Sequence, residues 1–254
     1  MLNPSRRFSL ASVTLLLGLA LAVPRPARAA DDAGPVNPAD YKEPVKVACV
    51  GDSITFGSGI RNRDRDSYPA VLGRLLGDKW VVHNFGVGGA TLLKNGDKPY
   101  DKQKAYNDAL ALKPDVVVIK LGTNDSKPQN WKHKDEFAAD YKALVDAFKK
   151  VNPKVRVFAA LPVPAFPGNF GIRDDVIKGE IVPLEQQAAK DTAATVVDLY
   201  EALSGKKELF PDKVHPNERG AALMAATIYH ALTGKDAPAT RPAAAAPEKA
   251  AATR

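Results

Sequence analysis

Between Val45 and Leu232 the chain alternates short, nearly continuous apolar runs with amphipathic stretches, and this alternation is the tightest constraint on its fold. The runs Val45–Val50, Trp80–Asn84, Val116–Lys120, Val155–Leu161 and Thr195–Val197 read as strands. The stretches Ser67–Leu76, Lys102–Ala111, Lys134–Lys150, Asp174–Asp191 and Pro216–Leu232 read as helices. In the third of these, Phe137, Tyr141, Leu144, Val145 and Phe148 recur at helical spacing and form one apolar face. Ser67 is placed to cap the first helix, with Pro69 tolerated in its first turn. Lys113-Pro114-Asp115 ends the second helix before Val116-Val117-Val118-Ile119. Strands that are apolar throughout must be covered on both faces, which a parallel sheet between two helical layers achieves. The expected class is therefore α/β, a three-layer α/β/α sandwich on a parallel sheet of about five strands. Crossovers in such sheets are right-handed, and ligands bind beyond the carboxyl ends of the strands.

The ends of the chain read differently. Arg6-Arg7 precede an apolar stretch from Leu10 to Val23, followed by Ala27-Arg28-Ala29 as a small-residue cleavage site. That order is the pattern of a secretory signal over residues 1–29. The apolar stretch is shorter than the roughly 17–25 residues of a membrane span, so no stable membrane insertion is expected after cleavage. The expected location is periplasmic or extracellular. Residues 30–44 read as a linker, 45–234 as the domain, and 235–254, rich in Ala and Pro, as a disordered tail. The formal charge of +7 is carried largely by these ends. Without them the core is close to neutral, which excludes a nucleic-acid footprint. Cys49 is the single cysteine. It cannot close an intramolecular disulfide, and its apolar neighbours mark it as a buried, inert thiol.

Four loops follow the expected strands or lead into the last helix. Gly51-Asp52-Ser53-Ile54-Thr55 places a hydroxyl on a turn at the end of the first strand. Asn84-Phe85-Gly86-Val87-Gly88-Gly89-Ala90-Thr91 follows the second, where the glycines let backbone N–H groups approach a ligand. Gly122-Thr123-Asn124-Asp125 follows the third and carries an amide side chain to the same rim. In Asp212-Lys213-Val214-His215-Pro216-Asn217, an Asp three residues before a His can reach the imidazole Nδ1–H and leave Nε2 free to take a proton. Each loop alone also reads as an ordinary turn or cap. Together they supply a nucleophile, a base, its orienter and oxyanion donors, the set needed for acyl transfer.

These four segments resemble the four blocks of the SGNH (GDSL) hydrolase superfamily in order and spacing over about residues 45–232. The resemblance implies a flavodoxin-like domain and ester hydrolysis without a cofactor. It implies Ser53 as nucleophile, His215 as base and Asp212 as its partner. The oxyanion donors it implies are the Ser53 amide, the Gly89 amide (Gly88 in the neighbouring register) and the Asn124 side chain. The Gly-x-Ser-x-Gly elbow of α/β-hydrolases is absent.

Gly57-Ser58-Gly59, Asn84–Leu93 and Leu121–Trp131 look most like exported sialate O-acetylesterase-like or acetylxylan-esterase-like members. The expected substrate is an O-acetylated saccharide, small or polymeric. A lysophospholipid or general short-chain acyl ester is the alternative. A non-catalytic glycan-binding domain is disfavoured because Ser53 and His215 are both retained. Acyl transfer to a sugar alcohol would use the same acyl-enzyme. Asp52, Trp131, Phe166 and Phe170 are candidate substrate contacts; for Trp131, stacking on a sugar and anchoring its loop are equally open. His83, His133 and His230 read as structural or surface groups. No His, Cys and carboxylate spacing suits a metal, so none is expected.

Overall fold

The structure, a computed structural model, describes residues 34–167 and 169–238. The expected signal segment, most of the expected tail and the start of the expected linker lie outside those residues. Five strands form one parallel sheet: β1 (Val45–Gly51), β2 (Trp80–Gly86), β3 (Val116–Lys120), β4 (Arg156–Ala160) and β5 (Thr195–Val197). Their order is β2-β1-β3-β4-β5. The chain turns outward in opposite directions from β1, so the crevice between the ends of β1 and β3 is the switch point where doubly wound sheets bind ligands.

The helices are α1 (Ser53–Phe56), α2 (Arg63–Asp66), α3 (Tyr68–Leu76), α4 (Lys104–Ala111), α5 (Pro128–Trp131) and α6 (Phe137–Val151). They continue with α7 (Asp174–Val176), α8 (Val182–Asp191), α9 (Leu199–Leu203) and α10 (Glu218–Thr233). Alternate side chains of each strand enter opposite layers. Ala48, Val50, Val117, Ile119, Val157 and Ala159 pack with α4, α6 and α8. Val45, Val47, Cys49, Val116, Val118 and Phe158 pack with α3, α9 and α10. Both faces are covered, as continuous apolar strands require. Cys49 lies wholly inside the second layer, where burial pushes its thiol up to about 12.

Local chemistry explains where element boundaries depart from expectation. Ser67 does occupy the N-cap position of α3, yet its side chain makes no capping bond. The helix expected from Asp174 to Asp191 is interrupted by a π-helical turn at Ile177–Ile181, which lets both Ile177 and Ile181 reach the core. The described part of the expected linker is anchored at one point: Val36 is buried in the α3/α10 layer, and its N–H donates to Leu232 O at 2.7 Å, while most of its neighbours are exposed.

Candidate active site

The turn that carries Ser53 is fixed by contacts that leave no room for side chains behind it. At Gly51, the last residue of β1, a Cβ would stand 2.1 Å from Thr55 Oγ1 and 2.5 Å from Lys120 O. Asp52 then caps α1, accepting the Ile54 N–H at 2.9 Å, and Ser53 is the first helical residue. Gly57 ends the helix with φ +92°. One short turn thus lifts the Ser53 hydroxyl above the sheet's carboxyl edge.

His215 meets it from the turn before α10. Its Nε2 lies 2.8 Å from Ser53 Oγ, and its Nδ1 lies 2.6 Å from Asp212 Oδ2. The other carboxylate oxygen, Oδ1, accepts the backbone N–H groups of His215 at 2.7 Å and Val214 at 3.0 Å. Burial draws the Asp212 carboxyl upward, but these N–H groups and the imidazole outweigh it and hold it below the ordinary carboxylate value. A carboxylate at Nδ1 keeps the proton there, so Nε2 faces the serine as an acceptor. Lys213, between the partners, has φ +73°, and Phe170 beside them has φ +56°. Both are non-glycine residues in the left-handed region, and such strain gathers at functional sites.

The loops that carry the expected oxyanion donors follow β2 and β3. Gly89 has φ +79°, and among the described residues its N–H has no protein acceptor. Asn124 is buried; its Nδ2 donates to Ala90 O at 3.1 Å, which ties it to the glycine loop and leaves its second hydrogen free. Asp125 accepts from Leu92 N at 3.1 Å and Leu93 N at 2.8 Å, anchoring the segment after Gly89. Burial raises its carboxyl to about 6, with those two N–H groups opposing the rise.

Beneath the site lies a buried charge cluster. Lys120, at the end of β3, is completely buried; its Nζ lies 3.0 Å from Asp52 Oδ2 and 2.6 Å from Thr123 Oγ1. One ammonium therefore holds the residue before Ser53 and the residue before Asn124. The nearby Glu185 carboxyl has no hydrogen-bond partner among the described residues, and burial drives it far above the usual carboxylate range. Sequence reasoning passed over Lys120 and Glu185. A lysine closing an apolar strand was the only visible signal.

Of the candidate substrate contacts, two are corrected. Trp131 is buried, donates through Nε1 to Glu180 Oε2 at 3.0 Å and packs edge-on against Phe137. It anchors its loop and offers no face to a sugar. Asp52 is likewise inaccessible, being committed to Lys120 and Ile54. Phe166 is half-buried against Phe210 and borders the site by donating its N–H to Lys213 O at 2.8 Å. Phe170 alone is open: it is 60% exposed and stands edge-on to His215 with ring centroids 5.6 Å apart. Among the described residues no group of His, Cys and carboxylates is arranged to hold a metal.

The chain is 42% identical over 213 residues to an acetylxylan esterase from Xylanibacter ruminicola, a match that covers 77% of this chain. It covers 44% of that relative, so the chain spans less than half the length of the curated protein it matches. Among solved structures, a carbohydrate acetylesterase from Sinorhizobium meliloti superposes with a TM-score of 0.61 at 19% identity, over 73% of this chain and 96% of that one. The acetylxylan esterase Axe2 from Geobacillus stearothermophilus superposes with a TM-score of 0.57 at 22% identity, over 75% and 94%. At those identities the two structures establish the shared fold. Residues 49–223 match the model of the GDSL-like lipase/acylhydrolase family, and the chain belongs to that family.

Proposed function

We propose that the protein is an exported serine esterase that removes O-acetyl groups from saccharides, acetylated xylan foremost. The hydrogen-bonded series Asp212–His215–Ser53 at the switch point of the sheet carries this reading. The 42% identity to an acetylxylan esterase supports the choice of substrate. The secretory pattern of residues 1–29 supports export, where an acetylated polysaccharide is met.

In this mechanism Ser53 Oγ attacks the acetyl carbonyl as His215 Nε2 takes its proton. The carbonyl oxygen gains negative charge and is held by the Ser53 and Gly89 amides and the Asn124 side chain. Asp212 stabilises the imidazolium without taking its proton. His215 then protonates the departing sugar oxygen, leaving an acetyl group on Ser53. Water enters, gives a proton to His215 and attacks the same carbonyl, and acetate leaves as Ser53 is regenerated. No step needs a cofactor. The exposed Phe170 ring stands edge-on to His215, the group that protonates the departing oxygen, and offers an apolar surface for a sugar face there.

The test is acetate release by the mature protein from acetylated xylan and O-acetylated sialic acid, alongside 4-nitrophenyl acetate and octanoate. Serine-dependent release from xylan supports the proposal. Activity confined to the octanoate ester moves the assignment to lipid or lysophospholipid substrates. Release from sialic acid alone keeps the chemistry and changes the sugar. Excess acceptor alcohol in the same assay reveals any acyl transfer.

A further inference from the structure

The carbonyl of Gly88 and the N–H of Gly89 belong to one planar peptide group. Lys98 Nζ donates to that carbonyl at 2.8 Å. Its aliphatic stem lies over the next residue: a Cβ at Gly89 would stand 3.6 Å from Lys98 Cδ. We propose that Lys98 is a positioning residue which orients and polarises the peptide whose N–H serves the oxyanion hole. This rests on the assignment of Gly89 in the proposed function. An ammonium on a carbonyl oxygen draws electron density out of the amide and strengthens its N–H as a donor, because hydrogen bonds through one amide polarise each other. It also pins the rotation of the peptide plane, so the N–H already points where charge develops on the substrate oxygen.

The surrounding loop is built to deliver this side chain. Thr91 N donates to Lys98 O at 2.9 Å and Tyr100 N donates to Thr91 O at 2.9 Å, so the segment folds back along the glycine loop. Asp97, next to Lys98, donates its N–H to Asn130 Oδ1 at 2.8 Å. Asn130 is buried, and its Nδ2 donates to Asp97 Oδ1 at 3.1 Å and to Asn124 O at 2.8 Å. One buried amide side chain therefore fixes the loop that presents Lys98 to the loop that presents Asn124. Lys98 itself is exposed, so its replacement leaves the core intact.

The experiment compares Lys98→Met, Lys98→Arg and Ser53→Ala with the wild type on 4-nitrophenyl acetate and on acetylated xylan. Lys98→Met is expected to lower kcat about 3- to 30-fold on both substrates, below the roughly 10²–10³-fold of deleting a whole donor. KM stays within about 2-fold, and Lys98→Arg recovers most of the loss because it keeps a cation on the carbonyl. The melting temperature is unchanged in both lysine variants. Wild-type kcat in Lys98→Met, an equal loss in Lys98→Arg, or a loss confined to KM for xylan overturns the inference. If Lys98→Met is unaffected while Ser53→Ala is inactive, the Lys98 inference alone fails. If Ser53→Ala keeps its activity, the underlying functional reading fails with it.

Discussion

Replacing Lys120 with Met removes one buried charge and strands another. Lys120 and Asp52 are both fully inaccessible, with Nζ and Oδ2 3.0 Å apart. Without the ammonium, the Asp52 carboxylate keeps only the Ile54 N–H among its neighbours, and Thr123 Oγ1 loses its donor. Breaking a buried pair in this way costs about 3–5 kcal/mol, because an uncompensated charge remains inside. Against a total stability of about 5–15 kcal/mol, the melting temperature should fall by roughly 6–20 °C in a domain of this size. Adding Asp52→Asn removes the stranded charge while its side-chain oxygen still caps α1. The double variant should therefore recover at least about 2 kcal/mol relative to the sum of the singles. Urea unfolding followed by circular dichroism at neutral pH measures all four proteins. The reasoning is refuted if Lys120→Met costs less than about 1 kcal/mol, or if the two substitutions add without coupling. The folded fraction of Lys120→Met should also turn over slowly, since the same ammonium holds the Ser53 turn and the Asn124 loop together.

Further outcomes follow from other parts of the site. Glu185 has its carboxyl raised by burial, so its favourable contribution is present at low pH and is lost as pH rises from the ordinary carboxylate value through the raised one; Glu185→Gln should flatten that decline in urea unfolding. Asp125 behaves alike from the ordinary 3.8 to about 6, so stability contributed by its neutral form should fade across that window in a pH series, and Asp125→Asn should abolish that slope. Asp212→Asn should lower kcat about 10⁴-fold by allowing the wrong imidazole tautomer, with the residual rate coming from the oxyanion hole. Phe170→Ala should raise KM for saccharide esters about 3- to 10-fold, the worth of one aromatic contact, while leaving 4-nitrophenyl acetate nearly unchanged in steady-state assays.

What could be read from the residues alone has a physical pattern. Val116–Lys120 and Val45–Val50 declare themselves because a doubly covered strand is apolar at nearly every position. Ser53, His215 and Asp212 stand out because acyl transfer needs those groups on loops at strand ends, and the structure joins them in one hydrogen-bonded series; Gly89 and Asn124 are singled out as oxyanion donors by the family resemblance. The short helices α1 and α9 were not legible, since four or five residues carry too little periodicity to register. Trp131 left stacking and anchoring equally open because its partner Glu180 is distant in sequence. Lys120 looked like an ordinary strand terminus for the same reason: Asp52, the carboxylate that permits its burial, lies 68 positions earlier. Lys98 sits in a polar loop whose return path depends on Thr91 and Asn130, and nothing in its neighbourhood signals a contact with Gly88.

The most direct measurement is to treat the protein with a fluorophosphonate, map the modified residue by peptide mass spectrometry and follow acetylesterase activity in the same samples. The account predicts modification of Ser53 alone, in step with loss of activity, and much slower labelling in His215→Ala. A label on another residue, or full activity retained when Ser53 is fully modified, would contradict it.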